Sequence, residues 1–135
     1  MKKERLYERL DTYKRASERL TEATKLQIDH AIVYDGVIQR FEFTFELSWK
    51  LMKAFLEYAG FEELKSPRAT IREAYAYGLI HDGDEWIDMM TDRNKTSHIY
   101  DEGEARTIYI KIKMVYEELL RGLIDNIEQE LRRVQ

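Results

Sequence analysis

Residues 93–100 read Arg-Asn-Lys-Thr-Ser-His-Ile-Tyr, a dense run of chemically capable side chains. An imidazole that titrates near pH ~6.5 can pass a proton at neutral pH, so His98 is a candidate general acid or base. A guanidinium can hold a phosphate through two nitrogens and stabilise charge that develops on it, which is the role open to Arg93. Tyr100 adds a hydroxyl, and Asn94 and Ser97 add neutral donors and acceptors. The chemistry open to this set is phosphodiester work that needs no cluster of metal ligands. A plainer account is a polar helix end, with Asn94 and Ser97 as caps and His98 near the negative end of the helix dipole. Spacing alone favours the plainer account.

Geometry adds a condition. On a continuous helix His98 lies about 140° around from Arg93, at ~100° per residue. The two converge only if the helix ends near 95–97 or if a second subunit supplies one of them. Thr96 and Ser97 would make a reasonable ending.

Other candidates have cheaper explanations. His30 reads as an exposed loop residue. His81-Asp82-Gly83-Asp84 reads as a turn, with Asp84 capping the next helix, rather than as a metal site. No Glu-x-x-His occurs, so a di-iron site of the ferritin kind is not supported, and no metal is expected. Glu42 and Glu46 sit one turn apart and could do acid–base work. A solvated strip, with Glu46 and Lys50 as an i,i+4 pair, explains them more simply.

The elements that must position these residues are helical. Leu6, Leu10, Tyr13, Ser17 and Leu20 predict a first helix over 3–26. Residues 27–34 read as a connection. A second helix is predicted over 35–58, with Gly60 at its left-handed end. It carries two apolar stripes, one of Phe41, Phe45, Trp49, Met52 and Leu56, the other of Phe43, Leu47, Leu51 and Phe55. A helix apolar on most of its circumference is central or serves a dimer interface. Phe43, Leu47 and Phe55 are not expected to share one core with Phe41, Phe45 and Trp49, so one stripe is expected to meet a second copy by two-fold symmetry.

Ser66-Pro67 opens a short third helix, with Ile71, Ala74 and Tyr75 inward and Gly78 at its end. Trp86, Ile87, Met90 and Arg93 mark a fourth. A long last helix runs from about Glu104, with Ile108, Ile112, Val115, Leu119, Leu123 and Ile127 buried. IYIKIK alternates like a strand, but sits within a longer helical period. The expectation is an all-α, up-and-down four-helix-type bundle with a short extra helix, dimeric, in a single domain over 1–135.

Composition narrows the class. The chain of 135 residues has no cysteine, so disulfides, thiolate catalysis and cysteine zinc sites are out. It has 22 Lys plus Arg against 26 Asp plus Glu, a net charge of −4, which argues against coating nucleic acid by bulk charge. Six Gly and one Pro leave few helix breakers. The highly charged start does not read as a signal peptide, and the apolar runs are too broken to span a bilayer. A cytoplasmic protein with no membrane partner is expected.

Two segments resemble a known family. Arg93, Asn94, His98 and Tyr100 match the R-x4-H-x-Y signature of HepT-type proteins, all-α members of the higher-eukaryote-and-prokaryote nucleotide-binding (HEPN) superfamily. The branch called nucleotidyltransferase substrate-binding proteins carries an RFEFTFELSWK-like segment, here residues 40–50. It also carries an RN-x-x-SH-x-YD segment, here residues 93–101, and the order matches. The resemblance covers essentially the whole chain.

The resemblance implies a homodimeric bundle that partners a minimal nucleotidyltransferase in a toxin–antitoxin pair. Arg93 and His98 would be the nuclease pair, Asn94 would position them, and Tyr100 would accept AMP, with Ser97 nearby. Glu42, Glu46, Trp49 and Lys50 would support the site or an interface. ATP and magnesium would belong to the transferase, and the chain would carry no cofactor of its own. Two functions stand side by side: a partner-binding component whose tyrosine is modified, and a metal-independent ribonuclease acting on RNA. A catalytically degenerate, nucleotide-binding scaffold is third. Whether the chain is an enzyme stays open. The acidic flanks Asp88, Asp92, Asp101 and Glu102 would weaken attraction for RNA.

Overall fold

The first helix, α1 (Lys3–Thr24), buries Leu6, Leu10, Tyr13, Ser17 and Leu20, the residues whose spacing predicts it. Each fully buried Leu on such a stripe contributes about 1.5–3 kcal/mol. The structure, a computed structural model, describes residues 3–134. Among the described residues there are six α-helical segments and no strand.

Helix α2 spans Ala31–Tyr58, four residues longer at its start than the sequence predicts. His30 caps it: the ring Nδ1 accepts from the Ile32 N–H at 3.1 Å. The segment read as a connection therefore contains the helix's first turn, and Tyr34 is buried there. Gly60, at φ 107°, ends the helix as expected, and the Phe61 N–H reaches back to the Leu56 carbonyl at 3.0 Å. Helix α3 (Pro67–Tyr77) starts at the predicted Ser66 cap and ends at Gly78, φ 93°.

Helix α4 (Gly83–Lys95) begins one residue after Asp82. Asp84 is not its cap but lies in its first turn, where its charge complements the helix dipole. The last rod is continuous: α5 (Glu102–Lys111), a π-helical turn (Ile112–Tyr116) and α6 (Glu117–Arg133).

Side-chain partners fix the directions. Thr44 reaches the Ala16 carbonyl and Arg40 the Arg19 carbonyl, so α1 and α2 are antiparallel. Phe45 meets Trp86 and Glu42 meets Thr96, so α4 runs antiparallel to α2. Tyr34 meets Tyr109 and Phe41 stacks on Tyr116, so the last rod runs parallel to α2. This is the up-and-down arrangement, with α3 inserted before α4. Helix α2 is its centre, packed against α1, α3, α5 and α6.

That centrality corrects the two-stripe argument. Phe55, Leu51, Phe41, Phe45, Met52 and Leu56 are all buried within one chain. Phe55 meets Tyr77 edge-on at 5.5 Å. Leu47 and Trp49 pack partly against the same core. Phe43 is half-buried, and the Arg19 guanidinium lies 5.4 Å from its ring centre. Tyr75 also departs from expectation: it is 56 % exposed, and Thr70 takes an inward place on α3. On α4 Ile87 is half-buried while Met89 lies fully in the core.

The π turn sets the other correction. A π turn holds about one residue more than an α-helical turn, which changes the side chains that face inward beside it, while Leu123 and Ile127 further on are buried as predicted. Val115 is 40 % exposed and Leu119 half-buried, whereas Tyr116 and Leu120 face inward.

Candidate functional site

The end of α4 carries the site. Thr96 Oγ1 lies 2.7 Å from the Arg93 carbonyl and Ser97 Oγ 3.4 Å from the Asn94 carbonyl. Such local bonds compete with the α-helical ladder. They accompany a 3₁₀ turn over Thr96–His98, after which Ile99 is extended. The helix thus ends where convergence of Arg93 and His98 requires it.

The tyrosine is placed from the other side. Asp101 caps α5 by accepting from the Glu104 N–H at 2.8 Å. The Glu104 carboxylate in turn accepts from the Tyr100 N–H at 3.2 Å. This reciprocal pair is a capping box extended by one residue. It anchors the Tyr100 backbone and leaves the side chain 83 % exposed. The phenol oxygen lies 3.5 Å from His98 Nδ1, and both side chains are exposed.

Arg93 is held differently. Its side chain is 29 % exposed, and Nη1 lies 3.6 Å from Glu42 Oε2 on α2. The same Nη1 donates to Thr96 Oγ1 at 3.3 Å. Thr96 Oγ1 is 2.7 Å from Glu42 Oε2. Arg93 Nε is buried and has no hydrogen-bond partner. A buried donor left unpaired costs about 1–3 kcal/mol.

The structure therefore groups the motif into two sets on one turn. Arg93, Thr96 and Glu42 form one, and His98 with Tyr100 the other. Asn94 and Ser97 lie exposed between them. Glu46, Trp49 and Lys50 sit further along α2 and bind one another. Trp49 Nε1 donates to Glu46 Oε2 at 3.1 Å, and Lys50 Nζ lies 3.9 Å from Glu46 Oε1.

Thr96 and Asp92 were not singled out as site residues by sequence reasoning. Thr96 had a signal, since it lies three residues after Arg93 and so on the same face. Asp92 is buried, accepts from the Tyr116 phenol and pairs with Lys111 Nζ at 3.1 Å. It is thus withdrawn from the acidic flank, which keeps exposed Asp88, Asp101 and Glu102. Burial, then the bond to Asp92 and the nearby carboxylates, push the Tyr116 phenol well above its ordinary value. An open groove of about 500 Å³ lies beside this pair, lined by Glu85, Asp88, Lys95 and Lys111 among others.

Comparison with known proteins adds ancestry to geometry. A Haemophilus influenzae protein named probable ribonuclease HepT is 38% identical over 87 residues, 57% of this chain and 56% of that protein. The chain therefore spans a little over half of that curated relative. A crystal structure of a Thermus thermophilus protein superposes with TM-score 0.74 at 32% identity, covering 89% of this chain and 98% of the other. A mutant of the toxin–antitoxin MntA-HpeT gives 0.76 at 18% identity, with 92% and 97% covered. A toxin–antitoxin structure with AMP-PNP gives 0.73 at 17% identity, with 95% and 98% covered. The last two likenesses speak for the fold. With residues 8–129 matching the family described as nucleotidyltransferase substrate binding protein like, the chain belongs to that family.

Proposed function

We propose that this chain is the HepT-like component of a toxin–antitoxin pair and that its partner, a minimal nucleotidyltransferase, modifies Tyr100. The observation that carries the reading is the Tyr100 hydroxyl, on an 83 % exposed side chain anchored by its backbone. A transferase could reach it without opening the bundle. In the transfer, the phenol oxygen bonds to the α-phosphorus of ATP, the bond to the β-phosphate bridge breaks, and pyrophosphate leaves. The phenolic proton passes to a base, for which His98 Nδ1 at 3.5 Å is the near candidate. ATP and magnesium would arrive with the transferase.

The test is intact mass after incubation with ATP, magnesium and the nucleotidyltransferase encoded beside this chain. Wild type should gain adenylyl groups and Tyr100→Phe none. Gain in both would place the acceptor elsewhere, and gain in neither would end the reading.

A second reading, metal-independent cleavage of RNA, is favoured by the partly exposed, loosely held guanidinium of Arg93, five residues before His98. His98 would move the proton and Arg93 would stabilise charge on phosphorus. A 2′-hydroxyl would attack the adjacent phosphorus and the 5′-oxygen would leave with a proton. Cleavage should persist in EDTA and vanish in His98→Ala. We also propose a two-fold dimer through the half-buried Phe43 and Leu47, to be checked by light scattering at micromolar concentration.

A further inference from the structure

Arg93, Thr96 and Glu42 form a chain of contacts with unequal grips. A charge-assisted N–H···O bond is about 2.7–2.9 Å long. Arg93 Nη1 is 3.3 Å from the Thr96 hydroxyl and 3.6 Å from the Glu42 carboxylate, both longer than that. The hydroxyl and the carboxylate are 2.7 Å apart, which is tight. Thr96 Oγ1 is equally close to the Arg93 carbonyl, but has one proton to give. The carboxylate is the stronger acceptor, so the proton goes to Glu42 and the hydroxyl lone pairs face Nη1. The carboxylate therefore acts on the guanidinium mainly through the hydroxyl.

The consequence is a guanidinium that is aimed without being neutralised by a close bidentate pair. A direct Arg–Glu fork would occupy two of its nitrogens. Here one nitrogen is lightly held, and Nε is buried without a partner. Thr96 is itself 9 % exposed, and its contact joins residues 54 apart in sequence. It thus ties the turn after α4 to the central helix. We infer that Thr96, backed by Glu42, is a positioning residue that orients Arg93 toward a phosphodiester. The inference rests on the nuclease reading, in which Arg93 faces the phosphate.

Thr96→Val keeps the shape and deletes the hydroxyl, Thr96→Ser keeps the hydroxyl, and Glu42→Ala removes the far end of the relay. Two measurements on the full chain separate the outcomes. The first is the heteronuclear NOE of the Arg93 Nε–H. It should report a rigid side chain in wild type and Thr96→Ser, and a mobile one in Thr96→Val and Glu42→Ala.

The second is cleavage of an oligoribonucleotide, with Arg93→Ala alongside. Misplacing a group by about 1 Å can cost ~100-fold, so kcat in Thr96→Val should fall about 10- to 100-fold. KM should change little, as for a contact that matters in the transition state. Thr96→Ser should recover most of the rate. An Arg93 side chain as rigid in Thr96→Val and Glu42→Ala as in wild type would overturn the inference. So would full activity of both variants where Arg93→Ala is inactive. Full activity of Arg93→Ala would instead defeat the nuclease reading, and the NOE alone would then decide whether Thr96 positions Arg93.

Discussion

The phenol of Tyr116 donates its hydrogen to the buried carboxylate of Asp92, the residue just before Arg93. The π turn is therefore tied by a side-chain bond to the residue that precedes Arg93. The Asp92 side chain is 7 % exposed, and its other partner, Lys111, is half-exposed. Tyr116→Phe keeps the ring stacked on Phe41 and removes the donor. It should lower stability by about 1–3 kcal/mol, the cost of leaving a buried acceptor short of a partner. Urea unfolding would measure it.

Alkaline pH should act through buried phenols, Tyr13 and Tyr116 foremost. Burial, helped by the charge of Glu117, raises Tyr13 well above its ordinary value, and its hydroxyl donates to the Leu120 carbonyl at 2.5 Å. Tyr116 is raised by burial and by Asp92. An unfolded tyrosine releases its proton near pH ~10 while these two hold theirs. Their contribution is complete below that point, and stability should fall as pH rises above it. Thermal unfolding from pH 8 to 11 should show the decline, and Tyr116→Phe should reduce its slope.

Acid should act through Asp29 and Glu117. A hydrogen bond from Tyr34, then one from Arg106, holds the Asp29 carboxyl below its usual range. For Glu117 burial opposes ionisation, but bonds from Arg121 and Thr21 outweigh it and leave the net shift downward. Lowered carboxyls stabilise above their unfolded values, about 3.9 to 4.3, and lose that contribution as pH falls through the lower folded values. Melting temperature should drop below pH ~4. Asp29→Asn should flatten that limb while lowering the plateau above it.

Tyr100→Phe and His98→Ala should leave the fold intact. Both side chains are exposed, so unfolding midpoints should stay within about 0.5 kcal/mol of wild type. Thermal melts of these variants provide the control for the mass and cleavage experiments.

Much of the architecture was legible from spacing and punctuation. Ser66, Pro67, Gly78 and Gly60 mark helix ends where the structure has them, and the α1 stripe is buried as its period implies. The start of α2 carries no usual cap signal, because its cap is a histidine rather than Ser, Thr, Asp or Asn. Yet Tyr34 already continues the period of Val37, Ile38 and Phe41 upstream of residue 35. Helical spacing predicts Val115 and Tyr75 inward, yet both lie outward, Val115 within the π turn and Tyr75 against Gly83 at the rim. Arg93, His98 and Tyr100 were legible as a motif. Their grouping was not, because the partner that fixes Arg93 comes from a different helix.

The π turn also bears on how relatives should be aligned. It accommodates one residue more than an α-helical turn does, while the rod continues on either side. A relative whose final rod is α-helical throughout would need a one-residue gap in mid-helix, near 112–116, to keep Leu120, Leu123 and Ile127 in register. An alignment that forbids gaps inside helices would pair the wrong faces from there to the end of the rod, even though the two folds coincide.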